Sequence, residues 1–354
     1  MKKYQNVFFI FGLSVLIIMI TQLDFAQVWA GLQRAGYWFF AVIILWFFLY
    51  MFNASAWYII INSQKPDISA IAQADTDNKN EGTAQGVQTT NKDGERKKVT
   101  FWWLYKITVS GFAINYATPG GLMGGEPYRI MALAPRIGTE RASASVILYA
   151  MTHIFSHFWF WLVSIVLYIT TQEVNLPIGL MLAAIGAFCI TAIWFFLKGY
   201  KKGIAVRCMN ILRHFPMIKR WANGFLERHK QQLDDVDRQI SALHNQNPRT
   251  FAGAVILELL CRIVSALEIF FILLVIMPEA NYIQCIIILA FTSLIANMLF
   301  FIPLQLGGRE GGFLMSAKGL AMTANAGIFV ALIVRVRELV WTAIGLLLIK
   351  LEKK

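Results

Sequence analysis

The chain alternates between long apolar runs and short polar segments. Each uninterrupted run is close to the roughly 20 residues that an α-helix needs to cross the hydrocarbon core of a bilayer. The pattern therefore predicts about six full transmembrane helices, and these lie at residues 6–23, 37–61, 144–170, 176–197, 251–277 and 326–349.

Two further apolar runs, 101–135 and 282–320, are broken near their middle by glycine and proline. The first contains NYATPGGLMGGEPYR at 115–129, and the second contains NMLFFIPLQLGGREGGF at 297–313. Glycine loses more backbone freedom in a helix than other residues, and proline lacks the N–H that a helix interior needs. Each break therefore predicts a turn between two shorter helices.

The distribution of Lys and Arg fixes the topology of these broken runs. Basic residues collect before the first run, in segments 62–100 and 198–250, and after the last run, whereas the segments between them hold almost none. The positive-inside rule places the basic segments and both termini in the cytoplasm. The chain must cross an even number of times between two cytoplasmic segments, so each broken run returns to its starting side.

The two broken runs also resemble each other. In each of them a proline, Pro119 or Pro303, stands seven residues before a glutamate, Glu126 or Glu310. Because the first run enters from the cytoplasm and the second from outside, the pattern predicts an inverted repeat, which is typical of transporters with a central site. Chance similarity between two glycine-rich turns is the alternative.

These features predict an all-α polytopic membrane protein, with about six full transmembrane helices plus two re-entrant helical hairpins in an inverted repeat. Residues 1–354 form a single membrane domain, with hairpins at 101–135 and 282–320. The polar insert at 62–100 is predicted to be disordered. The loop at 198–250 contains a basic amphipathic helix that would lie on anionic lipid headgroups or pack beneath the bundle.

Composition supports this class of protein. With 57% hydrophobic and 15% charged residues, the chain lies far outside the range of soluble domains. The net charge of +12 collects in the predicted loops, so no nucleic-acid partner is expected. The 4 cysteines lack metal-ligand spacing, which predicts free thiols, and no metal or cofactor is expected. The stretch 7–23 is long enough to be an uncleaved span rather than a signal peptide.

The hairpin tips carry the candidate chemistry. A helix that begins inside the membrane has unpaired N–H groups and the positive end of its dipole at its start, which suits an anion. Pro127, well tolerated in a first helical turn, places Glu126 near such a start. Capping of the helices by the two glutamates is an equally weighted alternative. The candidate substrate-binding residues at the tips are Asn115, Gly120, Gly121, Gly124, Gly125, Glu126, Arg129, Asn297, Gly307, Gly308, Arg309 and Glu310.

Charged residues inside spans are costly and need a partner or a function. Glu258 and Arg262 are four residues apart, which predicts a structural ion pair on one helix face. In the last span, Arg335 can pair with Glu338 three residues on, which leaves Arg337 on another face. Arg335 and Arg337 are therefore further candidates for binding a phosphate, because a guanidinium can bind it bidentately.

Two histidines, His153 and His157, stand four residues apart in the span after the first broken run. This spacing could present two imidazoles to a metal. No third ligand and no catalytic motif accompany them, and a polar helix face with Thr152 and Ser156 explains them better. Neither a metal site nor a catalytic residue is predicted.

The motifs PGGLMGGEPYR at 119–129 and LGGREGGFLMSAKGL at 306–320, followed by Arg335, resemble a known family. It is the transmembrane region of lysylphosphatidylglycerol synthases and the related flippase-like membrane proteins. The resemblance covers about residues 6–350 and implies a helical bundle that moves or presents polar lipids across the cytoplasmic membrane of a bacterium. Synthase activity is not implied, because no aminoacyl-transfer domain is found before the chain ends at Lys354. The acidic and basic residues that many members carry after the first hairpin are replaced here by VILYAMTH at 146–153.

The sequence therefore predicts a flippase-like transporter, not an enzyme, that binds and translocates an anionic, phosphate-bearing lipid. One alternative is a membrane-embedded enzyme or accessory subunit that acts on a phospholipid or lipid-linked sugar. Another is a scaffold whose cytoplasmic loop at 198–250 recruits a soluble synthase. A transporter would leave its lipid chemically intact, an enzyme would alter it, and a scaffold would depend on its loop.

Overall fold

The computed structural model describes residues 13, 14, 17, 21, 25–63, 98–117, 124–200, 248–299, 308–320 and 322–351. This part of the chain contains ten α-helices and no β-strand. Some predicted features lie outside it: most of the first apolar run, residues 64–97 of the insert, residues 201–247 of the amphipathic loop, and Gly120, Gly121 and Gly307.

The helices follow the apolar runs closely. In chain order they are α1 (Phe25–Ala35), α2 (Tyr37–Ser63), α3 (Phe101–Ala117), α4 (Gly125–Ile137), α5 (Thr139–Thr171), α6 (Leu176–Tyr200), α7 (Pro248–Leu274), α8 (Tyr282–Met298), α9 (Gly308–Gly319) and α10 (Ala324–Leu351). The sequence of α2 and α5 contains neither glycine nor proline, so nothing interrupts their backbone hydrogen bonds.

Two glycines separate neighbouring helices. Gly36 has φ 54° and lies between α1 and α2, whereas Gly138 has φ 89° and lies between α4 and α5. These values belong to the left-handed region. Glycine adopts it without strain because it has no Cβ, whereas other residues do so at a cost. The chain can therefore change direction at both points.

Three helices in the described part are long and apolar enough to cross a membrane. They are α2, α5 over Arg141–Thr171, and α6 over Leu176–Lys198. On α6 the large apolar side chains of Leu180, Phe188, Ile190 and Trp194 are 58 to 64% exposed, as a lipid-facing surface requires. The protein is therefore an all-helical membrane protein.

Helices α7 and α10 are as long as these spans, with 27 and 28 residues, but they carry charges in their interior. Helix α7 packs along α2 and also contacts α5, α8 and α10. Helix α10 contacts α3 and α9. Both helices therefore lie inside the bundle, where their charged residues can find partners: Glu258, Arg262 and Glu268 on α7, and Arg335, Arg337 and Glu338 on α10.

The first broken run forms two antiparallel helices, α3 and α4. Near the connection, Asn115 of α3 contacts Gly125 at the start of α4. At the other end, the Arg136 guanidinium donates a hydrogen bond of 2.8 Å to the Lys98 carbonyl, just before α3. The pair is called the first hairpin, and its tip is the end at Asn115 and Gly125.

The second broken run forms a similar antiparallel pair, α8 and α9. A Cβ built on Gly308 would lie 3.0 Å from the Leu299 side chain, which brings the end of α8 to the start of α9. Further from this point, the hydroxyls of Thr292 and Ser316 lie 3.3 Å apart. This pair is called the second hairpin, and its tip is the end at Leu299 and Gly308.

Helix α10 contacts the two hairpins along opposite halves of its length. Its C-terminal half packs on α3, where the Ser110 hydroxyl donates to the Gly345 carbonyl at 3.1 Å. Its N-terminal half packs on α9, where Gly327 faces the backbone of Phe313 and Leu314. The hairpins therefore approach from opposite ends of α10, and their tips reach it near its middle.

Candidate functional site

A cavity of about 310 Å³ lies where the two hairpin tips meet the long helices. Residues of α2, α3, α4, α5, α7, α8, α9 and α10 line it. Aromatic and aliphatic side chains form part of its wall, but many polar groups also face it. The charged and histidine side chains that line this central cavity are Glu126, Arg129, His153, His157, Glu258, Arg262, Glu268, Arg309 and Arg337.

At the first tip, Asn115 organises the start of α4. Its side-chain oxygen accepts a hydrogen bond of 2.7 Å from the Gly125 backbone N–H, and its side-chain amide donates to Glu126 at 3.1 Å. The N-cap residue Gly124 makes no side-chain cap. Asn115 thus satisfies a backbone N–H at the start of α4, and Glu126 is left to bind other partners.

Arg129 lies one turn beyond Glu126 and is 2% exposed. Its guanidinium pairs with the Glu126 carboxylate at 3.4 Å and lies 3.5 Å from the Thr108 carbonyl. The rings of Trp57, Phe112 and Tyr149 surround it, with distances of 4.7 to 5.8 Å from Cζ to the ring centroids. The aromatic faces stabilise this buried cation.

Two glycines make the close contact between α3 and α4. A Cβ on Gly125 would collide with the Gly111 carbonyl oxygen and with the Asn115 side chain. A Cβ on Gly111 would collide with the Arg129 guanidinium. Only glycine therefore lets the two helices approach closely enough for Arg129 to lie across Gly111.

Near the middle of α10, charged residues from both hairpins meet. The Tyr116 hydroxyl of the first hairpin donates to the Glu338 carboxylate at 3.1 Å, and Arg309 of the second hairpin pairs with the same carboxylate. Arg335 lies 3.4 Å from Glu338 and also pairs with Glu310. We call Tyr116, Arg309, Glu310, Arg335 and Glu338 the tip junction.

Arg337 lies beside the tip junction, with its Nη2 atom 3.8 Å from the Glu338 carboxylate, and it also reaches α7. It donates to both carboxylate oxygens of Glu268 on α7, at 2.8 and 3.2 Å, and lies 3.8 Å from the centroid of the Trp46 ring. Arg337 and Glu268 are both buried. This bidentate pair joins α7 to α10 at the wall of the central cavity.

The predicted direct ion pair between Glu258 and Arg262 does not form. Glu258 instead pairs with His153 Nδ1 of α5 at 2.8 Å. Arg262 donates to the Ser156 hydroxyl and to the His153 carbonyl, each at 2.8 Å. The prediction considered spacing on one helix, whereas α7 packs against α5 and both side chains find their partners across that contact.

The structure brings several of the predicted site residues together. Asn115, Glu126, Arg129, Arg309 and Arg337 line the central cavity. Arg335 and Glu310 contact each other at the tip junction and lie in a smaller recess behind the cavity.

The remaining predicted residues in the described part are three glycines at helix starts and Asn297. Gly124 and Gly125 stand at the start of α4 and Gly308 at the start of α9. Asn297 lines the cavity but is exposed, and its amide donates to the Ser293 carbonyl of its own helix at 2.7 Å. Asn297 therefore does not repeat the role of Asn115.

Sequence reasoning missed Glu268 and Tyr116. The missing partner of Arg337 was a signal for Glu268, because a charge in a span requires a counter-charge. Glu258, Ser265 and Glu268 also follow one another along α7 at successive spacings of seven and three, which place the three residues on one helix face. No comparable signal marks Tyr116, since tyrosines are common near the ends of apolar helices.

The rings of His153 and His157 make an edge-to-face contact, with their planes at 90° and their centroids 5.6 Å apart. Within the described residues, no group of three or more His, Cys, Asp or Glu side chains is arranged to hold a metal ion. The three described cysteines, Cys189, Cys261 and Cys285, are free, as predicted.

The family model described as "Lysylphosphatidylglycerol synthase TM region" matches residues 7–345. The match includes both hairpins and nearly all of α10. The chain belongs to this family. Membership agrees with the helical membrane fold, and the matched region is the transmembrane part of such synthases. No curated protein and no solved structure matches the chain.

Proposed function

We propose that the protein is a flippase-like transporter that binds an anionic, phosphate-bearing lipid headgroup in the central cavity and moves it across the membrane. In this proposal the headgroup enters between the hairpin tips while the acyl chains stay in the bilayer. The observation that carries the proposal is a cavity of about 310 Å³ lined by buried charged side chains, where two hairpins meet inside an apolar bundle.

Helix lengths support re-entry of the hairpins into the membrane. Helices α3, α4 and α9 have 17, 13 and 12 residues. At 1.5 Å per residue their lengths are about 25, 20 and 18 Å, whereas the hydrocarbon core is about 30 Å thick. Helix α10, with about 42 Å, is long enough to cross. The two hairpins reach the middle of α10 from opposite ends. This arrangement favours entry of each hairpin to about half the depth of the bilayer, one from each face.

The charge of the cavity favours an anion. Four arginines and three glutamates line it, which gives 4 − 3 = +1. The Nε atom of Arg129 and the Nη1 atom of Arg337 are buried N–H donors that have no acceptor among the described residues. A buried cation with incomplete hydrogen bonding is costly, so the negative charge of a phosphate in the cavity would stabilise both arginines.

Transporters built on inverted repeats use helix starts and buried charges near the bilayer midplane to bind substrate. Here the starts of α4 and α9 lie close to Arg129 and Arg309. We place the protein in the cytoplasmic membrane of a bacterium with both termini in the cytoplasm, as the charge distribution favours. A soluble synthase partner at the loop of 198–250 is a further part of this proposal.

The test is transfer of fluorescent phosphatidylglycerol across vesicles that contain the purified protein, measured by quenching with an impermeant reductant. Wild-type protein should speed the transfer, and Glu126→Gln, Glu310→Gln and Arg335→Gln should abolish it while the proteins still assemble. Glu173→Gln, at an exposed position outside the cavity, is the matched control and should transport normally.

Unchanged transfer in all three variants would contradict the proposal. Mass spectrometry of the same vesicles separates a transporter from an enzyme. A transporter leaves phosphatidylglycerol chemically intact, whereas a lipid-modifying enzyme changes its mass.

A further inference from the structure

His153 stands at the wall of the central cavity, and one of its ring nitrogens is held by a buried carboxylate. Its Nδ1 lies 2.8 Å from the Glu258 carboxylate. The Glu258 side chain is 1% exposed, whereas that of His153 is 24% exposed and lines the cavity. The ring therefore joins a fully buried carboxylate to a space that a headgroup could occupy.

The closest hydrogen-bond partner of the Glu258 carboxylate is His153 Nδ1, and the Tyr149 hydroxyl also lies near this carboxylate. Its second oxygen, Oε1, is buried and has no donor among the described residues. Arg262, one turn away, donates instead to Ser156 and to the His153 carbonyl. Because an ionised carboxylate only accepts hydrogen bonds, His153 Nδ1 carries the proton of the neutral ring. The atom that can gain a further proton is Nε2.

The charged and titratable groups around His153 come from several helices. Helix α7 contributes Glu258 and Arg262, and α4 contributes Arg129. On α5 the ring of His157 and that of Tyr149 lie 5.6 and 6.3 Å from the His153 ring. The described segments of α2, α3 and α8 that line the cavity add no Asp, Glu, Lys or Arg side chain.

We propose that His153 is the proton-binding site of the central cavity and takes up one proton when an anionic headgroup binds. The proton comes from the aqueous phase, bonds to Nε2, and converts the neutral ring into an imidazolium, while Glu258 remains the acceptor at Nδ1. The phosphate of the headgroup attracts this new cation. By linkage, protonation of His153 strengthens lipid binding by the same factor as lipid binding strengthens protonation.

This inference rests on the proposed function and adds a proton as the ion that is coupled to lipid transport. A transporter that binds a proton together with an anionic lipid can draw on a proton gradient. Histidine suits this role because its charge changes near neutral pH. His157 serves as a comparison, since it lies one turn away on the same cavity wall but has no acidic partner among the described residues.

The experiment is titration calorimetry of short-chain phosphatidylglycerol into the full-length protein in detergent, at pH values from about 5.5 to 8.5 where histidine titrates. Runs in two buffers with different ionisation enthalpies give the number of protons taken up. Wild-type protein should take up as much as one proton per lipid. Its dissociation constant should rise by up to about tenfold per pH unit across the titration.

Two variants locate the proton. His153→Asn keeps a side-chain N–H near the position of Nδ1 but cannot titrate, so it should bind lipid without proton uptake and with a flat pH profile. His157→Asn tests whether the neighbouring ring binds the proton instead: loss of uptake in this variant, with uptake retained in His153→Asn, overturns the inference. If His153→Asn folds poorly, His153→Gln, which also cannot titrate, takes its place.

The outcomes separate this inference from the proposed function. Lipid binding without proton uptake in wild-type protein overturns the inference and leaves the proposed function intact. Uptake that persists in His153→Asn also overturns it, and absence of binding at every pH overturns both.

Discussion

The two hairpins carry similar sequence motifs, yet their tips are held in different ways. In the first hairpin, Glu126 binds Asn115 and Arg129, so its partners belong to the same hairpin. In the second hairpin, Arg309 and Glu310 pair with residues of α10. Similar motifs of glycine, glutamate and arginine thus make contacts within the first hairpin but contacts to α10 in the second hairpin.

The difference indicates a division of roles. The first tip is organised within itself, and it presents Glu126 and Arg129 to the central cavity. The second tip depends on α10 for its position, because the carboxylate of Glu338 holds Arg309 and lies beside Arg335. Tyr116 extends the first hairpin to the same carboxylate. Glu338 is therefore a residue of α10 that the tips of both hairpins contact.

The largest effect is expected from Glu338→Gln. Glu338 is 1% exposed, and its loss of charge leaves Arg309 with no acidic partner among the described residues. Removal of one member of a buried ion pair typically costs about 3–5 kcal/mol, and the partial exposure of Arg309 places the expected loss near the lower end of that range. The apparent melting temperature of the purified protein in detergent measures the change.

Glu126→Gln is the matched change in the first hairpin. The amide oxygen can still accept from Asn115, and the three aromatic rings around Arg129 still stabilise its charge. Its loss of stability should be clearly smaller than that of Glu338→Gln. Equal losses of stability in the two variants would show that the first tip depends on its glutamate as much as the second tip depends on Glu338.

A smaller but still clear effect is expected from Gly125→Ala. The added Cβ collides with the Gly111 carbonyl and with Asn115, so the contact between α3 and α4 must open. Overpacking of this kind costs typically about 1–3 kcal/mol. Thermal denaturation of the purified variant, together with its yield from membranes, reports the loss.

Gly311→Ala is the control for that substitution. Gly311 lies in α9, and a Cβ there would meet no atom within 4 Å. Alanine is a better helix former than glycine, so stability should stay the same or rise by up to about 1 kcal/mol. A destabilised Gly311→Ala protein would mean that glycine is needed at the tips for a reason other than close packing.

The smallest effect is expected from Ser316→Ala in the second hairpin. Its hydroxyl lies 3.3 Å from that of Thr292 and donates to the Gly312 carbonyl of its own helix. Loss of one such hydrogen bond costs about 1 kcal/mol. Melting temperatures are compared with those of Ser164→Ala, whose buried hydroxyl donates to the Phe160 carbonyl of its own helix and to no other group in the described residues. If the two variants lose the same stability, the contact between α8 and α9 contributes nothing measurable.

Much of the fold could be predicted because membrane helices are read from local pattern. The apolar runs predicted at 37–61, 144–170 and 176–197 correspond to α2, α5 and α6, which are long and apolar enough to cross a membrane. The glycines and prolines of the broken runs predicted where α3 and α8 end. Hydrophobicity decides these features within a single segment, so no knowledge of neighbours is needed.

The partners in the site depend on packing and were harder to predict. The pair of Arg335 and Glu338 follows from helical spacing and is present at 3.4 Å. Glu258 and Arg262 have equally good spacing, but they bind across to α5. Spacing shows which residues share a helix face, whereas the neighbouring helix decides which contact forms.

The central claim is that the two hairpins enter the membrane from opposite faces and return to the face from which they came. Cysteines introduced one at a time at Lys98, Thr139, Glu279 and Thr323, on a cysteine-free background, test it most directly. These residues are exposed, and they flank the two hairpins at their open ends. An impermeant thiol reagent applied to intact cells should label the cysteines at 279 and 323. It should label those at 98 and 139 only after the cells are permeabilised. Labelling of 98 and 139 from opposite faces, or of 279 and 323 from opposite faces, would show that a hairpin crosses the membrane and would contradict the account.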